Sequence, residues 1–110
     1  MSVSHYAPEK PLYLLTKEEL LEKALLLSKH AKLFSVLAFT EKPKMDNLLA
    51  VLWICASRDP VRYAKDFYLE LRRLDECEGE CILVETPPDS EEWAAIQERL
   101  ARAAFPRLTS

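Results

Sequence analysis

The sequence is almost without glycine: Gly79 is the only one in 110 residues. Phosphate loops of the Walker and dinucleotide-binding types need several glycines so that the backbone can approach a phosphate, and a chain with one excludes both. Side-chain amides are equally scarce, with Asn47 and Gln97 alone, beside seven prolines and abundant Lys, Arg and Glu. That is a thermophile-like composition. Only two histidines are present, His5 and His30, so there is little material for a catalytic triad or a histidine-rich metal centre. No apolar run reaches the ~20 residues that span a membrane; residues 45–57 come closest. The opening MSVSHYAPEK lacks a basic region followed by an apolar core, so no secretory signal is expected and the cytoplasm is the expected location. A net charge of −3 argues against a protein devoted wholly to coating nucleic acid, while leaving room for a local basic patch.

What is there suffices for one modest core. Hydrophobic residues make up 49% of the chain, enough to fold as one domain. Residues 1–10 read as a loose N-terminal arm and 11–105 as a single globular domain. PLYLL (11–15) reads as a short strand opened by Pro11. Thr16 and Glu19 form a Thr-x-x-Glu capping box, followed by Leu20, Leu21, Ala24, Leu27 and Ala31 on one face of a helix over about 17–31. Residues 32–44 are ambiguous and lean to strand, with Glu41-Lys42-Pro43-Lys44 as a turn. Asp46 is a good N-cap before NLLAVLWICA, where Leu and Ala outnumber β-branched residues; this favours a buried helix over a strand. Asp59 then caps a new helix with Pro60 at its first position and an apolar stripe at Val61, Ala64, Tyr68 and Leu71, widened by Phe67 and Leu74. ECILVET (80–86) is the clearest strand, between Gly79 and Pro87-Pro88. Asp89 and Glu92 suggest a second capping box ahead of Trp93, Ile96, Leu100 and Ala103, and Pro106 closes that helix. The expected class is α/β (α+β), one small sheet with flanking helices. If 33–40 and 48–55 are both strands, the order becomes ferredoxin-like βαββαβα, and the sheet would present those strands to single-stranded nucleic acid or to a second copy of the chain.

The segment ICASRDPVRYA (54–64) carries the most pointed chemistry. A buried run ends at Arg58-Asp59-Pro60, where a fresh helix N-terminus exposes free N–H groups and partial positive charge. Arg58, Arg62, Lys65 and Arg72 follow at offsets of four, seven and fourteen. Cations in a first helical turn are mildly unfavourable unless an anion joins them, and guanidinium groups with a helix N-terminus suit phosphate. Lys42 and Lys44 extend the patch if the fold brings their turn close. The plainer reading is a solvated face with Asp59 and Asp66 neutralising the arginines. Among the cysteines, Cys55 is expected in the core, while Cys77 and Cys81 in CEGEC are either a disulfide across a turn or ordinary thiols. Only His5 and His30 remain to complete a zinc site, so neither metal nor cofactor is expected. No nucleophile and base stand out, and no enzyme is expected. Trp53 and Phe67 read as core, as do Tyr63 and Trp93 unless partly exposed for stacking.

Four stretches together resemble a known family: LYLLTKEELLEKAL (12–25), KPKMDNLLAVLWICAS (42–57), DPVRYAKDFYLELRRLDE (59–76) and CILVE (81–85). The pattern is similar to the small kinase-associated, tRNA-binding subunit of KEOPS, the archaeal and eukaryotic complex that makes threonylcarbamoyl-adenosine in tRNA. There a Lys-Pro turn leads into an apolar helix, a polar junction, an amphipathic helix and a strand. The resemblance implies a non-catalytic accessory subunit that docks on a small atypical kinase and holds the unpaired 3′ end of tRNA, with phosphate contacts supplying affinity and aromatic stacking supplying recognition.

Overall fold

The computed structural model describes residues 7–105. Strand β1 (Leu12–Leu15) is followed by helix α1 (Lys17–Lys29), β2 (Phe34–Ala38), β3 (Ala50–Cys55), α2 (Pro60–Glu76), β4 (Ile82–Glu85), a 3-10 turn (Glu91–Trp93) and α3 (Ala94–Ala103). The class is α/β, a four-stranded sheet of order β1-β4-β2-β3 with helices on both faces. Every pairing is parallel. The element order matches the ferredoxin-like alternative, but β2 and β3 run side by side in one direction instead of folding back as a hairpin.

Handedness assigns each connection its side. Parallel crossovers are right-handed, so the connections β1→β2 and β2→β3, which step the same way across the sheet, share a face. The connection β3→β4 steps back and takes the other. Accordingly α1 and the crossover residue Leu48 pack with Phe34, Val36, Ala38, Cys81 and Leu83, whereas α2 and α3 pack with Leu12, Leu37, Ile82 and Val84. Strand β2 is buried at all five positions, as expected of a parallel strand covered on both sides. Of the two strands that the ferredoxin-like alternative would present, β2 therefore has no open face, whereas β3 is an edge strand with Val51 and Cys55 exposed. Ser28 ties the crossover down: its Oγ donates to the Ala24 carbonyl at 2.8 Å and accepts from the Leu49 amide at 3.0 Å.

Residues 46–57 are the main correction. Within them Ala50–Cys55 is a strand, not part of the apolar helix that composition and resemblance suggested, and no helix follows Asp46. The reason lies in a bulge. Phe34 pairs with Ala50 but Ser35 pairs with Leu52, leaving Val51 extra. Ala50 and Trp53 consequently face α1, and Leu52 and Ile54 face α2. The extra residue breaks the two-residue period and puts same-face residues three apart, a helical spacing. Cys55, expected in the core, ends this strand exposed, and Cys77 and Cys81 are free thiols with no disulfide between them. Burial, with Glu80 nearby, pushes the Cys81 thiol pKa up, against the opposing pull of Lys23, Lys10 and Lys32.

Elsewhere the local signals hold with small shifts. The capping box of α1 is complete, with the Glu19 amide donating to Thr16 Oγ1 at 3.2 Å and the Thr16 amide to Glu19 Oε1 at 2.9 Å. Its helix stops at Lys29, and Ala31 turns into the left-handed region at φ 56°. Helix α2 buries Tyr63, Phe67, Leu71 and Leu74; Val61, assigned to the buried stripe from sequence, is 75% exposed. The second capping box is absent: Ser90 precedes a 3-10 turn and makes no side-chain cap bond. Of the expected N-terminal arm, residues 1–6 lie outside the described residues. Pro8 is buried, and the Glu9 and Lys10 amides donate to the Asp75 carboxylate at 3.1 and 3.0 Å. Pro106 also lies outside the described residues, and α3 ends at Ala103.

Candidate functional site

Because connections leave neighbouring strands toward opposite faces, a crevice opens at the carboxyl ends of β2, β4 and β3. This is where open parallel α/β sheets hold ligands. Phe39 follows β2, Arg58 follows β3, Glu85 and Thr86 end β4, and Pro88 and Trp93 close the far side around a cavity of about 220 Å³. Two fixtures hold its floor. The Glu85 carboxylate reaches across from β4 and accepts at Oε1 from the amides of Phe39 (3.1 Å) and Thr40 (3.0 Å) and from Thr40 Oγ1 (2.9 Å). On the other side of the same turn, the Trp53 indole N–H donates to the Thr40 carbonyl at 3.0 Å. Consecutive amides aimed at one acceptor make an anion nest, and here the protein's own carboxylate fills it.

The aromatic wall is equally fixed. Phe39 stacks on Tyr63 with centroids 5.7 Å apart and meets the edge of Trp93 at 5.6 Å. Tyr63 and Trp93 are buried at 2% and 3% exposure, so the expectation that both belong to the core holds. They frame the crevice from behind.

The five cations singled out in the sequence fall in three places. Arg58 lies at the end of β3 and lines the crevice, its guanidinium 5.9 Å from the Phe39 ring centroid and 3.5 Å from the Phe39 carbonyl. Lys42 and Lys44 are exposed in the segment that leaves β2 beyond Phe39, and Arg62 and Lys65 are exposed on α2. Contact with Phe39 joins Arg58 to the start of the segment bearing the two lysines. Neither resolved ion pair, Lys32–Glu80 or Arg102–Glu98, involves any of the five. Asp59 sits at the N-cap position of α2, but its side chain makes no cap bond, and the first turn holds no acid. Its amide donates instead to Ser57 Oγ at 3.1 Å. The first turn of α2 thus carries Arg62 without an acid, with the exposed Asp59 carboxylate beside it at the N-cap.

Sequence reading missed Phe39, Glu85 and Thr86 as crevice residues. Glu85 carried a usable signal: a carboxylate closing an otherwise apolar strand, two residues before Pro87-Pro88, is costly without a partner. Among the described residues no group of three His, Cys, Asp or Glu side chains is placed to hold a metal, and no helix is long and apolar enough to cross a membrane.

One family model matches residues 1–105, that of the threonylcarbamoyl-AMP synthase C-terminal domain. No curated protein and no solved structure matches the chain.

Proposed function

The chain belongs to the threonylcarbamoyl-AMP synthase C-terminal domain family, a family of threonylcarbamoyl tRNA modification, and on that premise we propose that it is a non-catalytic binding domain serving this modification in the cytoplasm. It holds tRNA through Lys42, Lys44, Arg58, Arg62 and Lys65. The observation that carries the reading is the start of α2: exposed Arg58 and Arg62 flank a helix N-terminus whose first turn has no acid and whose N-cap Asp59 makes no cap bond. Among the described residues none of the five is in a resolved ion pair, and phosphate is a partner that suits them. The finer form is a KEOPS accessory subunit that grips the tRNA 3′ end and docks on the small atypical kinase. It rests on the stretches 12–25, 59–76 and 81–85 of the sequence resemblance, the 42–57 stretch holding a strand here and not a helix; co-purification with that kinase from the native cell is its test, and clear absence of the kinase overturns it.

The RNA reading is tested by reversing Arg58 and Arg62 together to Glu and titrating a tRNA with an intact 3′ end across a salt series. Binding should weaken. Loss of two phosphate contacts should also make the slope of log K against log salt shallower by about 1–2. Unchanged affinity and slope would remove tRNA from Arg58 and Arg62.

A further inference from the structure

The crevice is too small for a drug-sized ligand, whose pockets run to about 300–1,000 Å³; its cavity is about 220 Å³. It suits a small metabolite, and the charges on its walls say which kind. Arg58 and Glu85 both line it, yet among the described residues they form no ion pair with each other or with anything else. Each is positioned by the same turn. Glu85 is pinned through Oε1 by three donors, and among the described residues Oε2 has no donor. Arg58 rests against the Phe39 ring and reaches only the Phe39 carbonyl, at 3.5 Å, so most of its N–H groups are unspent. A simple anion entering here would meet the Glu85 carboxylate, and a simple cation would meet the guanidinium. A ligand carrying both signs turns both terms favourable.

We propose that this crevice binds a free α-amino acid as its zwitterion. The α-carboxylate takes the Arg58 guanidinium, a match of planar fork to planar acceptor. The α-ammonium donates to Glu85 Oε2. The side chain lies against Phe39, Pro88 and Trp93, whose apolar surfaces complete the cavity. Thr86 Oγ1 spends its proton on the Leu15 carbonyl at 3.0 Å and so faces a ligand as an acceptor, a second partner for the ammonium. The site shares Arg58 with the tRNA reading and differs from it in needing Glu85 and the aromatic wall, which a polyphosphate does not use.

The test is a panel of free L-amino acids titrated into the full chain and followed by backbone and indole NMR shifts. Each binder is compared with its amino alcohol, which lacks the carboxylate, and its deaminated acid, which lacks the ammonium. At least one amino acid should bind and perturb Phe39, Glu85, Thr86 and the Trp93 indole, with both analogues at least tenfold weaker. Arg58→Gln should weaken it at least tenfold. Joint reversal of Lys42 and Lys44 to Glu should leave it unchanged while reducing tRNA affinity, so the two readings fail separately. Absence of any binder, equal binding of an analogue, or shifts confined to another surface would overturn the proposal.

Discussion

Tyr63 shows how a single residue can support the crevice while carrying a liability. Its ring stacks on Phe39 and Phe67, at 5.7 and 6.0 Å, and meets Trp93 edge-on at 5.2 Å, so it holds the wall against which Arg58 rests. Its hydroxyl is buried without a hydrogen-bond partner among the described residues. Burial first, then the charges of Glu70 and Glu85, push its pKa well above the ordinary tyrosine value. Tyr63→Phe keeps the ring and removes the orphan, so it should stabilise the fold by about 1 kcal/mol, a rise of roughly 4–8 °C in Tm for a domain of this size. The sign of the pH effect follows from the raised folded-state pKa. The folded chain keeps this proton more tightly than the unfolded chain does. Stability is therefore intact below the unfolded value near ~10 and falls as pH rises toward the folded one. The advantage of Tyr63→Phe should widen between melts at pH 8 and pH 10.5. A clear loss of Tm in the variant would mean that the hydroxyl has a partner after all.

At the scale of elements, the readable parts are those whose signal is local. The capping box at Thr16 and Glu19, Pro60 at the first turn of α2, and the apolar run before Pro87-Pro88 each state their structure within a few residues. The unreadable parts answer to distant neighbours. Strand β3 takes its conformation from pairing with β2, and its bulge at Val51 disguises the alternation that would have revealed it. The buried stripe of α2 is rotated toward Tyr63 and away from Val61 because the sheet and Trp93, not the helix alone, choose the face. Gly79 was legible as a turn, but its reason is tertiary. It has φ +135°, and a Cβ there would stand 3.2 Å from the Phe34 Cα, so α2 can return into β4 only with no side chain at this point. Gly79→Ala should cost roughly 1–3 kcal/mol for the backbone conformation alone, with further crowding against β2. Urea denaturation should show a lower midpoint at unchanged slope. A midpoint within error of the parent would show that the turn has another way round.

Across the whole molecule, the site follows from strand order. Arg58 could be singled out because it sits in a conspicuous local pattern, but Phe39, Glu85 and Thr86 become neighbours only once β4 is inserted between β1 and β2. No local periodicity encodes that insertion. The same order makes stability uneven across the sheet. Strands β2 and β4 are central and covered on both faces. Strand β1 is an edge, partly closed where the Phe105 amide donates to the Leu12 carbonyl at 2.7 Å and the Phe105 ring meets Tyr13 at 5.9 Å. Strand β3 is the opposite edge, bonded to β2 alone and interrupted at Val51. Protection from amide exchange tracks burial and pairing, so the slowest amides should lie in β2 and β4, those of β1 should follow, and those of β3 should exchange first among the strands. The arrangement has a functional consequence, since Arg58 hangs from the end of the least protected strand while Glu85 ends one of the most protected. A ligand that spans the two would tie the loose edge to the core. Saturating the crevice should therefore slow exchange in β3 more than in β4, and equal slowing of both would show that the ligand stabilises the fold without bridging those strand ends.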